Sequence, residues 1–313
     1  MSNRFLLALG AGLAAGVLFM LPAKGMMAGV WLSVLAPMPL MIAVLGYGPL
    51  AGVSAAVVGA MACVIMQPAL SLVFLISTAL PALLLGWLAR RAFAGERRLG
   101  PGPLLAAVAG LAIAAVWGMI AFVAIIYGDL ETAAAEIGAG LREMLQQVKG
   151  VEEGAAIMPV DEFVPWLVAS VPAIIAFWSV LTMSLNLWLA ARVAMISGLL
   201  NRDWPDLPTH LELPRIVLAA FALATLACAL PGVSRVFASS AAVALGVAFA
   251  FQGLAAIHRL TRGRSSRSGV LSALYAIIFV LFPLPLFVAA GVGVADNVKP
   301  LRRSLSTPTS NKP

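Results

Sequence analysis

The sequence predicts an all-α membrane protein: a polytopic transmembrane helix bundle of about eight or nine spans, with one amphipathic helix on its outer face. Three observations carry this. Of 313 residues, 62% are hydrophobic and 11% charged, with a mean hydropathy of +1.02. A soluble domain carries roughly 25% charged residues, so this chain cannot cover a water-facing surface and takes lipid as its solvent. Its apolar residues fall in runs close to the ~20 residues that cross about 30 Å of hydrocarbon. The runs are rich in the helix formers Ala and Leu, and they lack the roughly ten-residue alternation of a β-barrel.

In chain order the runs cover residues 5–21, 27–47, 49–66, 69–89, 104–127, 164–191, 213–230, 236–257 and 270–295. Only Gly48 separates the second from the third, which makes them a tight hairpin or one broken element. The first run follows Arg4 as in a signal peptide, but Pro22-Ala23-Lys24 is a poor small-residue cleavage site. It reads as an uncleaved first helix. Residues 1–298 form one transmembrane domain, and the polar tail 299–313 is expected to be disordered.

Basic clusters set the orientation. Arg90, Arg91, Arg97 and Arg98 follow the fourth run, and Arg192, Arg202 and Arg215 flank the loop after the sixth. Arg259, Arg262, Arg264 and Arg267 follow the eighth. If the runs alternate in direction, these clusters and Arg4 share one side, cytoplasmic by the positive-inside rule. This pattern, not a nucleic-acid surface, accounts for the net charge of +7. The outer loop 128–163 is acidic: Asp129, Glu131, Glu136, Glu143, Glu152, Glu153, Asp161 and Glu162 stand against Arg142 and Lys149. Nine passes would put the basic tail (Lys299, Arg302, Arg303, Lys312) outside. Either the last run folds back at Pro283 and Pro285, or an early run does not cross, or the tail is outside.

Within the outer loop, Leu130, Ala134, Ile137, Leu141, Met144 and Val148 recur at helical spacing, while Glu131, Glu136, Arg142, Glu143 and Lys149 lie off that stripe. An amphipathic helix follows, lying on the membrane face or over the bundle. It is a plain connector or a lid over an outward-facing site.

Candidate site residues are few. Two Pro-x-Pro interruptions, Pro37 and Pro39 in the second run and Pro283 and Pro285 in the last, remove N–H donors and clash with the preceding turn. The carbonyls of Ser33, Leu35, Phe279 and Leu281 would be freed. In lipid, broken helices persist only where protein or a wet cavity covers them, and transporters build substrate sites from them. The alternative is a simple kink. Ser33, Asn186 and Gln252 are polar groups within the runs, able to contact a ligand or to bond between helices. Trp31, Trp117 and Trp178 could line a pocket for a planar ligand. No acid or base stands clearly mid-run, which disfavours a proton-driven pump. On the first helix Ala8, Gly12 and Gly16, with Ala11 and Ala15, form a small-residue ladder suited to close helix packing, within the chain or with a partner membrane protein.

Catalytic and metal-binding motifs are not found in the sequence. There is no P-loop, and His210, His258, Cys63 and Cys228 have no metal-ligand spacing. No catalytic residue, metal or cofactor is expected, and the chain reads as a non-enzyme.

Phe251-Gln252-Gly253-Leu254-Ala255-Ala256-Ile257-His258, Gly293-Val294-Ala295-Asp296 and Leu301-Arg302-Arg303 carry a resemblance. Together with Leu35 to Leu40 and Gly86 to Arg91, they resemble motifs of the YybS-like predicted membrane proteins of bacteria. The resemblance spans nearly the whole chain. Val298, Pro300 and Leu301 stand where that family usually carries Trp, Asp and Phe. It implies a fold similar to the S components of energy-coupling-factor transporters, which capture small molecules while separate coupling and ATPase subunits drive uptake. By that resemblance the ladder of Ala8, Ala11, Gly12 and Ala15 would meet a coupling membrane subunit. The expectation is a bacterial inner-membrane protein, N-terminus cytoplasmic, that binds or transports a small molecule with energy, if any, from separate subunits. The alternative is a non-transporting scaffold that assembles other envelope proteins.

Overall fold

The computed structural model of the chain describes residues 2–25, 27–94, 99–147, 159–200 and 206–299, and among them every regular element is helical. The helices are α1 (Ser2–Met20), α2 (Met27–Ser33), α3 (Pro37–Tyr47), α4 (Pro49–Met66), α5 (Pro68–Phe74), α6 (Leu80–Phe93) and α7 (Pro101–Tyr127). They continue with α8 (Leu130–Gln147), α9 (Val160–Ile196), α10 (Leu207–His210), α11 (Arg215–Ala227), α12 (Val233–Leu260), α13 (Arg267–Val280) and α14 (Leu284–Val298). Among the described residues six stretches are long and apolar enough to cross a membrane: Ala28–Tyr47, Pro49–Met66, Pro68–Phe93, Pro101–Tyr127, Val160–Ile196 and Val233–Leu260. The third joins α5 to α6 through a π-helical stretch, Leu75–Ala79. Val148, Lys149, Glu152, Glu153, Arg97, Arg98, Arg202 and the tail beyond Lys299 lie outside the described residues.

Prolines explain where several helices begin. Pro37, Pro49, Pro68 and Pro101 each open a helix, where the missing N–H would have had no intrahelical partner anyway. Gly48, at φ 97°, makes the turn between α3 and α4 a tight hairpin. Helix α12 is the centre of the bundle, packed by α14, α9, α11 and α7. A second layer forms where α1 lies on α4, and α3 lies between α6 and α9. Phe249, Phe74, Leu40, Met41 and Leu85 are fully buried between these helices.

The basic loops converge on one end. Arg90 of α6 donates to the Leu45 carbonyl of α3 at 2.6 Å, Gly46 meets Leu199 beyond α9, and Gly102 of α7 meets Glu212. Arg262 pairs with Asp206 at 2.6 Å at the same end.

The run 270–295 is not one pass. It breaks at Phe282 and Pro283 into α13 and α14. Gly253 of α12 meets Ala289 of α14, Gly293 meets Phe249, and Asp296 reaches Gln252 and Arg259. Gly253 and Gly293 face each other, and Asp296, three residues further along α14, meets Arg259, six further along α12, so α14 runs parallel to α12. Lys299 therefore lies at the basic end, and the fold-back is the arrangement that places it there. Helix α13 has 14 residues, about 21 Å at ~1.5 Å each, short of a full crossing. Phe282 at the turn packs on Phe177 and Trp178, near the middle of α9. The hairpin thus turns at mid-depth, closed by Leu284 N–H to Leu281 O (2.9 Å) and Leu286 N–H to Pro283 O (3.0 Å).

Candidate functional site

The first proline break is a closed joint. Between α2 and α3 the N–H of Ala36 donates to Ser33 O (3.0 Å) and that of Met38 to Leu35 O (3.1 Å). Those two carbonyls are therefore not free, and neither is that of Leu281. The turn leaves Val34 O instead, and Asn186 of α9 donates to it at 2.7 Å while its second amide hydrogen goes to Thr182 O, also 2.7 Å. Asn186 is 0% exposed. Pro37 is buried, Pro39 half-buried, and the Ser33 hydroxyl donates to Val30 O of its own helix. An unpaired carbonyl in a dry core costs ~1–3 kcal/mol, so Asn186 makes the break tolerable.

Gln252 holds a different joint, at the basic end of α12. Its Oε1 accepts from Leu213 N–H (3.1 Å), and its Nε2 donates to Asp296 Oδ2 (3.2 Å). Arg259 donates to Asp296 Oδ1 at 2.7 Å and to Pro208 O at 2.9 Å. Asn297 donates to Leu213 O at 2.8 Å. Below this cluster Gly253 and Gly293 bring the two backbones into contact, where any Cβ would strike the other helix's carbonyl. The quoted motifs of α12 and α14 thus meet in space. Asp296 is 2% exposed, a buried charge that the sequence reading places just past a span end. Its partner lies 37 positions away, so no local pattern announces the pair.

The small-residue ladder faces inward. Gly12 of α1 lies against Ala55 and Val58 of α4, and Gly16 against Gly59 and Ala62. Ala8 and Ala15 are buried and Ala11 partly so. Within the chain, α4 covers this face. The three tryptophans do not share a pocket: Trp31 is exposed, Trp117 donates to Ser240 Oγ at 3.1 Å, and Trp178 packs on Phe282. Pro283 and Pro285 sit at the mid-depth turn, a helix length from Gln252.

Open space occurs elsewhere. A cavity of about 680 Å³ lies beneath α8, walled by Val116 and Ile120 of α7, Val168 and Ile175 of α9, Val236 of α12 and Ile137 of α8. None of the candidate prolines or amides lines it. Helix α8 crosses the ends of α7 and α9 opposite the basic loops. Asp129 caps it, accepting from Thr132 N–H (2.7 Å) and Thr132 O–H (2.9 Å). These bonds hold the Asp129 carboxyl below the usual carboxylate range. The apolar stripe is only partly covered: Leu130, Ala134 and Ile137 line the cavity, while Met144 is 64% exposed. Arg142, off the stripe by periodicity, lines the cavity because Gly138 leaves room for its side chain to fold under.

Residues 13–297 match the family described as "Predicted membrane protein (DUF2232)", and the chain belongs to that family. No curated protein and no solved structure matches it.

Proposed function

We propose that this member of the DUF2232 family is a membrane protein that binds or transports a small molecule. It would be S-component-like in that any energy for uptake comes from separate coupling and ATPase subunits. The observation that carries the reading is the cavity beneath α8. Its volume lies within the ~300–1,000 Å³ range of small-molecule pockets, and it sits at the end away from the basic loops, under a helix that can act as a lid. By the positive-inside rule that end is external and the N-terminus cytoplasmic, in a bacterial inner membrane. The resemblance to YybS-like proteins adds support. The ligand site moves in this reading from the proline breaks to the cavity, because Asn186 and Gln252 already bond to protein. Catalysis has no part in it.

The test is native mass spectrometry of the protein released from lipid nanodiscs. A recurrent bound mass, lost when Ala169→Phe fills the cavity, is the expected result. Protein that carries no such mass and melts unchanged across a solute library would refute the reading.

One observation favours the scaffold alternative. Helix α13 buries none of its residues, and Phe279 at its end is 86% exposed, so it could dock another membrane protein. Cross-linking from α13 that recovers one stable membrane partner, with no ligand in the cavity, would move the scaffold ahead.

A further inference from the structure

The charge inside the cavity narrows the class of its occupant. Among the described residues two ionisable side chains line it, Glu131 and Arg142, both from α8. They stand about 16 Å apart along a helix that rises ~1.5 Å per residue. The Arg142 guanidinium folds back over Gly138, toward the side where Val164 of α9 approaches. Among the described residues it has no hydrogen-bond or ion-pair partner. This holds although Glu143 adjoins it in sequence and Asp161 and Glu162 open α9. Between the two charged groups the lid offers Leu130, Ala134 and Ile137, and the wall opposite offers Ile120, Val168 and Ile175.

A guanidinium set in an apolar wall is matched by an oxoanion, which it can bind through two parallel N–H donors. Aliphatic walls are matched by hydrocarbon, at roughly 25 cal/mol per Å² removed from water. We infer that the cavity takes a single-chain amphiphile whose carboxylate or phosphate is held by Arg142, with its chain lying along the underside of α8 toward Leu130. This rests on the reading that the cavity beneath α8 is the ligand site. The stretch of α8 from Arg142 to Leu130 is roughly 18 Å long. It accommodates a chain on the order of a dozen carbons, at about 1.3 Å each for C–C bonds near 1.5 Å. Glu131 at the far end repels a second acidic group, so a diacid of that length is a poor ligand.

The experiment is calorimetric titration of the full chain in nanodiscs of neutral lipid, scored against empty nanodiscs. The probes are dodecyl phosphate, dodecanoate, dodecanol, dodecanedioate and inorganic phosphate. The variants are Arg142→Gln, Arg142→Lys and Ala169→Phe, each first checked for helical content and melting point. Both monoanions should bind at least tenfold tighter than dodecanol and dodecanedioate. Arg142→Gln should erase the preference over dodecanol, Arg142→Lys should keep most of it, and Ala169→Phe should abolish binding of every chain. Equal affinity for dodecanol and the monoanions, or an unchanged preference in Arg142→Gln, overturns the anionic class and leaves an apolar ligand site. Binding unaffected by Ala169→Phe overturns that site as well. Inorganic phosphate binding as tightly as dodecyl phosphate overturns the amphiphile. Competition by lysophosphatidic acid identifies the source as a single-chain membrane lipid, and its failure to compete identifies a free fatty acid or alkyl phosphate; both results support the class, while competition by diacyl phosphatidic acid overturns the single chain.

Discussion

The α12–α14 joint and the space beneath α8 are opposite solutions to the same solvent. At the joint, Gly253 and Gly293 bring two backbones together, and the polar side chains there engage one another or a backbone carbonyl. Under α8 the helices stand apart, the walls are aliphatic, and the guanidinium of Arg142 goes without a partner among the described residues. Lipid does not drive helices together as water does, so close association needs small residues and hydrogen bonds. Where they are withheld, helices can be held apart and a cavity can persist. Polar residues therefore mark rigidity in this bundle, and their scarcity marks the place where something can enter.

The strongest way to break that contrast is to add a side chain at each region. Gly253→Leu or Gly293→Leu forces α14 off α12 and should cost about 3 kcal/mol or more, seen as loss of monodisperse, cooperatively melting protein. Gly140→Leu on α8 meets open space and should leave the melt unchanged. Equal effects at the two sites would abolish the distinction.

Next in size is the buried pair. Asp296→Leu alone leaves Arg259 uncompensated, and breaking such a pair costs ~3–5 kcal/mol. The double variant Asp296→Leu/Arg259→Leu should recover part of that in thermal melts. A double variant as unstable as the sum of the singles would mean the two charges do not act together.

Asn186→Leu should cost about 1–3 kcal/mol, because Val34 O loses its donor in a dry core. Asn186→Asp should fare no better, since a carboxylate cannot donate to either carbonyl. Wild-type stability in both variants would show that the α2–α3 break needs no outside support.

The smallest effect is at the lid. A carboxylate whose folded pKa is depressed stabilises its fold above the unfolded value, and that contribution disappears as pH falls through the folded value. Asp129 is such a group, through the Thr132 N–H first and the Thr132 hydroxyl second. Amide exchange in the first turn of α8, relative to intrinsic rates, should rise as pH drops below about 4. The amides of α12 should not follow. Protection at Thr132 that is unchanged by Asp129→Ala would remove the cap from the account.

Most of the bundle was legible because lipid allows few alternatives. An apolar run of the right length has to be helical, and eight of the nine runs correspond to helices at nearly the expected places. For the ninth, the sequence leaves three arrangements open because hydropathy carries no direction: α13 and α14 are similarly apolar, and the prolines at 283 and 285 point to the fold-back without deciding it. Gln252 was visible as an isolated polar residue, but its partners Leu213 and Asp296 are 39 and 44 positions away. The cavity was the least legible part. Its walls are ordinary aliphatic residues, and Arg142 reaches it by folding over a glycine, which helical periodicity does not register.

The mid-depth turn of α13 and α14 has a consequence for the bilayer itself. The hairpin adds two helix widths on the side of the turn nearest the basic loops, whereas α8 lies across the opposite end of the bundle. Lipids of one leaflet must give way to the hairpin while those of the other close over its tip. The hairpin acts as a wedge in a single leaflet, carried by a bundle whose long helices reach across both.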